Sequence, residues 1–180
     1  MHSTGATRAQ DIRSQLGHPV IDADGHTIEI TAVIQDYIKQ VGGSTGLDRF
    51  VASDRSFQKT KQESVAARRQ RWNNGPVHWA WPAHTLDRAT AALPRLYYER
   101  MDELGLDVSL VYPSLGLRWQ MMSDGELRPL ICRALNMYMA ELHAGLSDRI
   151  LPVAAIPMHT PDEAIEEMEY AVKVDRKSVV

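Results

Sequence analysis

The chain has 180 residues, a formal net charge of −3 and 44% hydrophobic residues. That bounds it to one domain, or part of a larger one, with enough apolar material for a core. Lys and Arg are scattered among Asp and Glu, so nucleic acid and anionic membrane surfaces are not expected partners. The single cysteine, Cys132, excludes an internal disulfide and a cysteine-built zinc site, and points to a reducing, cytoplasmic setting. The longest apolar run, residues 150–158, contains two prolines and is too short to span a bilayer. The first ten residues, MHSTGATRAQ, have no apolar signal region.

In chain order, residues 1–18 read as an N-terminal extension. PVIDAD, residues 19–24, reads as a strand that ends in carboxylates. In residues 31–41, Val33, Ile34, Tyr37, Ile38 and Val41 form a helical stripe closed by Gly42 and Gly43. Residues 44–92 read as an insertion, with a polar helical stretch over 57–72 and an aromatic loop, NNGPVHWAWPAH. His78 and His84 lie there among Trp72, Trp79 and Trp81, as a cover over a pocket or as a small satellite core.

Leu96, Tyr97, Met101 and Leu104 then repeat at helical spacing up to Gly105, and DVSLVYPS is a second strand. Ser123 and Glu126 have capping-box spacing before a helix whose apolar face runs from Leu127 to Leu142, with Pro129 acceptable only in its first turn. RILPVAAIPM is a third strand. Thr160, Pro161 and Glu163 open a last helix whose buried stripe is expected to be Ala164, Ile165, Met168, Ala171 and Val172.

Strands separated by crossover-length segments predict an α/β fold with a parallel sheet, either doubly wound or the opening of a barrel. Three strands are few for either, so the chain reads as unfinished. Its last six residues, DRKSVV (175–180), match one reading frame of a common sequencing adapter and read as a non-native tail. A native charged tail is the alternative.

The chemistry concentrates in Asp22-Ala-Asp24-Gly-His26-Thr-Ile-Glu29. In a regular strand, residues 22, 24 and 26 share a side, so Asp24 and His26 can reach one ion. A carboxylate and an imidazole suit zinc, manganese or a similar divalent metal. A strand-end turn using Asp and Gly for loop chemistry is the plain alternative. An EF-hand fails, because its sixth and twelfth positions are Thr27 and Val33. A haloacid-dehalogenase-like phosphatase survives as a second reading, with Asp22 as nucleophile and Asp24 as acid/base. An inert α/β unit is the third.

IDADGHTIE, LDRATAALPRLYYERMDELGLDVSLVYPSLGL and ELRPLICRALNMYMAELHAGLSDRILPVAAIPMHTPDEAIEEMEYAV follow one another over residues 19–174. Together they resemble the amidohydrolase-related branch of the amidohydrolase superfamily, which includes relatives of aminocarboxymuconate-semialdehyde decarboxylase. The resemblance implies a (β/α)₈ barrel, of which this chain carries about three β/α units with a helical and aromatic insertion after the first strand. It also implies a divalent metal, zinc or manganese, at the C-terminal strand ends, held here by Asp24 and His26, where many relatives have His in place of Asp24. A later-strand His and a final-strand Asp complete the family's site and are absent from this sequence. The parent enzyme is expected to be a metal-dependent hydrolase or decarboxylase acting on a small organic acid or an amide- or ester-like substrate, and a possible homo-oligomer. The 180 residues alone are expected to be inactive.

Tyr112, Ser114 and His159, at the ends of the second and third strands, are candidate substrate-pocket residues. Each has an ordinary reading as a strand-end or helix-entry residue. Glu29 is a candidate partner behind a metal ligand, or an acidic residue placed before a helix N-terminus. His18 and His143 read as structural.

Overall fold

The computed structural model describes residues 6–61 and 84–174. His78, Trp72, Trp79, Trp81 and the 175–180 tail lie outside them. Among the described residues are seven helices and one three-stranded sheet, in the order α1 (Arg8–Ser14), β1 (Ile21–Thr27), α2 (Thr31–Lys61), α3 (Thr85–Ala92), α4 (Pro94–Leu104), β2 (Val108–Pro113), α5 (Gly116–Trp119), α6 (Leu127–Leu142), β3 (Ile150–Pro152) and α7 (Pro161–Val174). The strands lie in sequence order, β1-β2-β3, and both pairings are parallel. This is the α/β class expected from crossover-length connections.

The N-terminal segment is docked on the rest of the fold. Thr7 and Gln10 form a reciprocal capping box on α1. Arg13 on α1 donates to Asp107 (Nη2 to Oδ1, 2.9 Å), and the Val20 amide donates to the same carboxylate. α4 begins at Pro94, behind an extended Leu93, and ends on Gly105 at φ 73°. A β-carbon on Gly105 would stand 2.9 Å from the Ala9 carbonyl oxygen, so this glycine serves both the left-handed turn and the close passage of α1.

Four expectations are corrected. The helix after β1 does not stop at Gly42 and Gly43. Gly43 takes φ 63°, ψ −164°, a conformation that breaks the helical path, and the chain resumes as helix to Lys61. The residues just beyond the kink are core, not insertion: Phe50 is 1% exposed and meets Trp119 edge-to-face at 5.2 Å between ring centroids. The N-terminus of α6 is capped by Asp124, not Ser123. Its Oδ1 accepts from the Leu127 amide at 2.9 Å and the Glu126 amide at 3.1 Å. Pro129 falls in the first turn of α6, where its missing N–H is harmless.

The fourth correction concerns α7. Thr160 Oγ1 accepts from the Glu163 amide as expected. However, the buried face holds Ala164, Glu167 and Ala171, whereas Ile165, Met168 and Val172 are exposed. Polar groups on α6 select that face. Arg128 grips Glu163 with contacts of 2.7 and 2.9 Å, Arg133 reaches Glu167 at 2.8 Å, and Asn136 donates to Glu167 Oε1 at 2.8 Å.

The core is built from α2, α6 and the sheet, around Ile34, Ile38, Ile131, Leu135, Tyr138 and Val111. Cys132 lies in it at 1% exposure, and burial, reinforced by Glu167, pushes its thiol up to about 12. A thiol reagent at mildly alkaline pH is therefore expected to leave the folded chain unlabelled and to react once denaturant is added. Rapid labelling without denaturant would show that the α6 core is open. Among the described residues no helix is long and apolar enough to cross a membrane.

Candidate functional site

The C-terminal half of β1 is irregular. Asp22 pairs with Ser109 and Gly25 with Val111, so β1 has one more residue than β2 between those two pairs, a bulge at Ala23 and Asp24. The bulge interrupts the regular alternation behind the expected common side of residues 22, 24 and 26, yet all three border one cleft. The Asp22 carboxylate braces it, with Oδ1 accepting the Asp24 amide at 3.1 Å and Oδ2 accepting Ser109 Oγ at 3.3 Å and the Tyr97 hydroxyl at 3.5 Å. Gly25 is required by close approach: a β-carbon there would stand 2.7 Å from the Leu110 carbonyl oxygen. The Asp24 side chain points into solvent at 94% exposure, with Oδ1 3.8 Å from His26 Nε2.

His26 is held from its other side. Ser114, 5% exposed, places Oγ 3.3 Å from His26 Nδ1. Tyr112, the register partner of His26 on β2, has its ring centroid 6.0 Å away and tilted by 38°. Tyr112 and Ser114 therefore join His26 as β2 strand-end residues. The hydrogen bonds of Glu29 go to the backbone of the next turn. Glu29 is 3% exposed and accepts three successive backbone amides, from Ser114 (3.1 Å), Leu115 (2.8 Å) and Gly116 (2.8 Å). Burial pushes its carboxyl above the usual range while the three amides pull it back. Glu29 thus orders the turn that carries Ser114.

Asp24 and His26 open onto a cleft of about 460 Å³ that also touches Asp22, Tyr97, Thr90 and Arg100. Arg100 is committed, with Nη2 2.9 Å from Glu103, and Nη1 2.6 Å from Thr90 Oγ1 and 3.3 Å from Asp87. The aspartates give the cleft an acidic wall that favours a cation over an organic anion. Apolar Ala91, Leu104 and Leu106 complete the lining.

The donor chemistry fits a divalent cation. Two ligands of a tetrahedral zinc stand about 3.4 Å apart, and a small rotation of the exposed Asp24 side chain closes the 3.8 Å gap to that value. Among the described residues no cluster of three or more His, Cys, Asp or Glu assembles. His159 is not brought to this pair: it is exposed and lines a separate cavity of about 260 Å³ with Gln120, Met121, Ile156 and Met158. His143 is buried, with Nδ1 2.8 Å from the Met139 carbonyl, and His18 Nδ1 is bonded to the neighbouring Pro19 carbonyl. His84 stands before α3 with no capping bond from its side chain.

The clamp of Glu29 on Ser114 was not legible in the sequence, since its partners lie 85 to 87 residues away. The clue that was present, a carboxylate three residues beyond His26, has no reach of its own without the β1–β2 register. Comparison with protein-family models and with curated proteins finds no match to this chain.

Proposed function

We propose that Asp24 and His26 are the first-strand ligands of a divalent metal, zinc or manganese, in an amidohydrolase-related enzyme that hydrolyses or decarboxylates a small organic substrate. In this reading β1, β2 and β3 are the first three strands of a (β/α)₈ barrel, a fold whose strands are parallel and follow one another in sequence order around the ring. The observation that carries it is the 3.8 Å approach of Asp24 Oδ1 to His26 Nε2 at the C-terminal end of a parallel strand, where barrel enzymes keep their chemistry. The resemblance in residues 19–174 supports the same reading.

A divalent cation bound there supplies Lewis acidity, lowering the pKa of water and polarising a substrate oxygen. The chain's own residues do the rest. Asp24 offers an exposed carboxylate, His26 an imidazole fixed by Ser114, and Asp22 and Gly25 keep the bulge that aims Asp24 outward. The acidic wall repels an anionic substrate, so an organic acid would enter only with the cation in place, whereas a neutral amide or ester would not need it for entry. In the family the remaining ligands are a His and an Asp on later strands.

The test is metal binding by equilibrium dialysis. Asp24→Ala and His26→Ala are each expected to lower zinc binding to the level of a denatured control, and to remove metal and turnover together in an enzyme carrying this segment. Zinc stoichiometry and affinity unchanged in both variants would overturn the assignment. Loss of phosphatase activity in Asp22→Asn without a metal effect would favour phosphoryl transfer instead.

A further inference from the structure

We propose that Ser114 is a positioning residue for His26, its hydroxyl accepting from Nδ1–H so that the Nε2 lone pair is free for a divalent cation shared with Asp24. The inference deepens the half-site reading and rests on it. An imidazole that ligates a metal uses one ring nitrogen and donates the other N–H to a fixed acceptor, which sets both tautomer and ring orientation. Ser114 Oγ is such a group, 3.3 Å from Nδ1, while Nε2 faces Asp24 across 3.8 Å.

The serine is itself immobilised. Its amide donates both to the Thr27 carbonyl at 3.0 Å and to Glu29 Oε2 at 3.1 Å, and the next two amides close on the same carboxylate. His26 and Glu29 leave β1 three residues apart, so one segment of chain carries the ligand and also the clamp that fixes the ligand's partner. Tyr112 flanks the imidazole, with ring centroids 6.0 Å apart. Because Glu29 takes backbone amides and not the hydroxyl, replacing Ser114 by Ala removes the contact to His26 and leaves the clamp in place.

The experiment follows the His26 side chain in the ¹⁵N-labelled chain by long-range proton–nitrogen spectra, assigned with His26→Ala, during titration with zinc chloride. In the wild-type chain His26 is expected to hold the Nδ1–H tautomer and to take zinc on Nε2. Ser114→Ala is expected to populate both tautomers and to bind zinc 10- to 100-fold more weakly, on the order of other lost outer-sphere partners, with Ser114→Thr restoring both properties through its retained hydroxyl. Should Ser114→Ala not fold, Ser114→Cys, whose thiol is a weak hydrogen-bonding group of similar size, makes the same comparison. Unchanged tautomer and zinc affinity in the Ala or Cys variant, or a Thr variant no better than Ala, would overturn the proposal. A wild-type chain that takes no zinc would defeat the half-site reading, and the zinc-free tautomer comparison would still decide the role of Ser114.

Discussion

Glu29→Ala is expected to destabilise the fold by about 3–5 kcal/mol, since a buried carboxylate that satisfies several amides is among the costliest groups to delete. Glu29 is 3% exposed, and its two oxygens serve the amides of Ser114, Leu115 and Gly116. The alanine variant leaves Leu115 and Gly116 without that acceptor. Glu29→Gln is expected to cost less, about 2 kcal/mol, because one amide oxygen still accepts while the side-chain NH₂ faces a backbone donor. Urea unfolding at constant m-value measures both. A cost below about 1 kcal/mol for the alanine variant would mean that the turn finds other acceptors.

The pH dependence has a definite sign. Burial raises the Glu29 carboxyl in the folded chain above its ordinary value of 4.5, so the fold holds this proton more tightly than the unfolded chain does. Stability contributed by that protonation is present below pH 4.5 and is lost as pH rises through the folded value. Glu29→Gln should lack this segment of the stability–pH curve. The variants also separate structure from positioning: Glu29→Ala weakens the fold and the zinc affinity together, whereas Ser114→Ala changes the zinc affinity alone.

Local spacing made the Asp24–His26 pair legible, and distance along the chain hid its supports. Asp24 and His26 are two residues apart on a strand, and their proximity survives the bulge. Ser114 reads as a strand-end residue, but its contact with His26 depends on the pairing of His26 with Tyr112, which no local pattern encodes. Gly42 and Gly43 carry an ordinary helix-stop signal, but the helix resumes with Phe50 packed against Trp119 and with Gly42 and Gly46 passing close under Leu130. Counting apolar residues also misjudged α7, because Glu163 and Glu167 are drawn inward by Arg128, Arg133 and Asn136, partners 31 to 35 residues distant.

That inward polar face makes Asn136 the second site of large effect, and Asn136→Leu is expected to cost about 3 kcal/mol. Asn136 is 4% exposed. Its amide nitrogen donates to the Ala155 carbonyl at 3.0 Å and to Glu167 at 2.8 Å, and its oxygen accepts the Ala155 amide at 2.7 Å. Leucine keeps the branching of the side chain but its methyl groups are bulkier, so some overpacking adds to the polar cost: Ala155 loses both bonds, and Glu167, 3% exposed, retains Arg133. Burial already raises the Glu167 carboxyl above its usual range, and Asn136 and Arg133 pull it down. Removing Asn136 raises it further, so the penalty should shrink as pH falls and Glu167 protonates. Adding Glu167→Met to Asn136→Leu should then recover about 1 kcal/mol, because an apolar pair replaces a half-satisfied polar one. If the two substitutions instead add independently in thermal and urea unfolding, the Asn136–Glu167 bond does not help to hold α7.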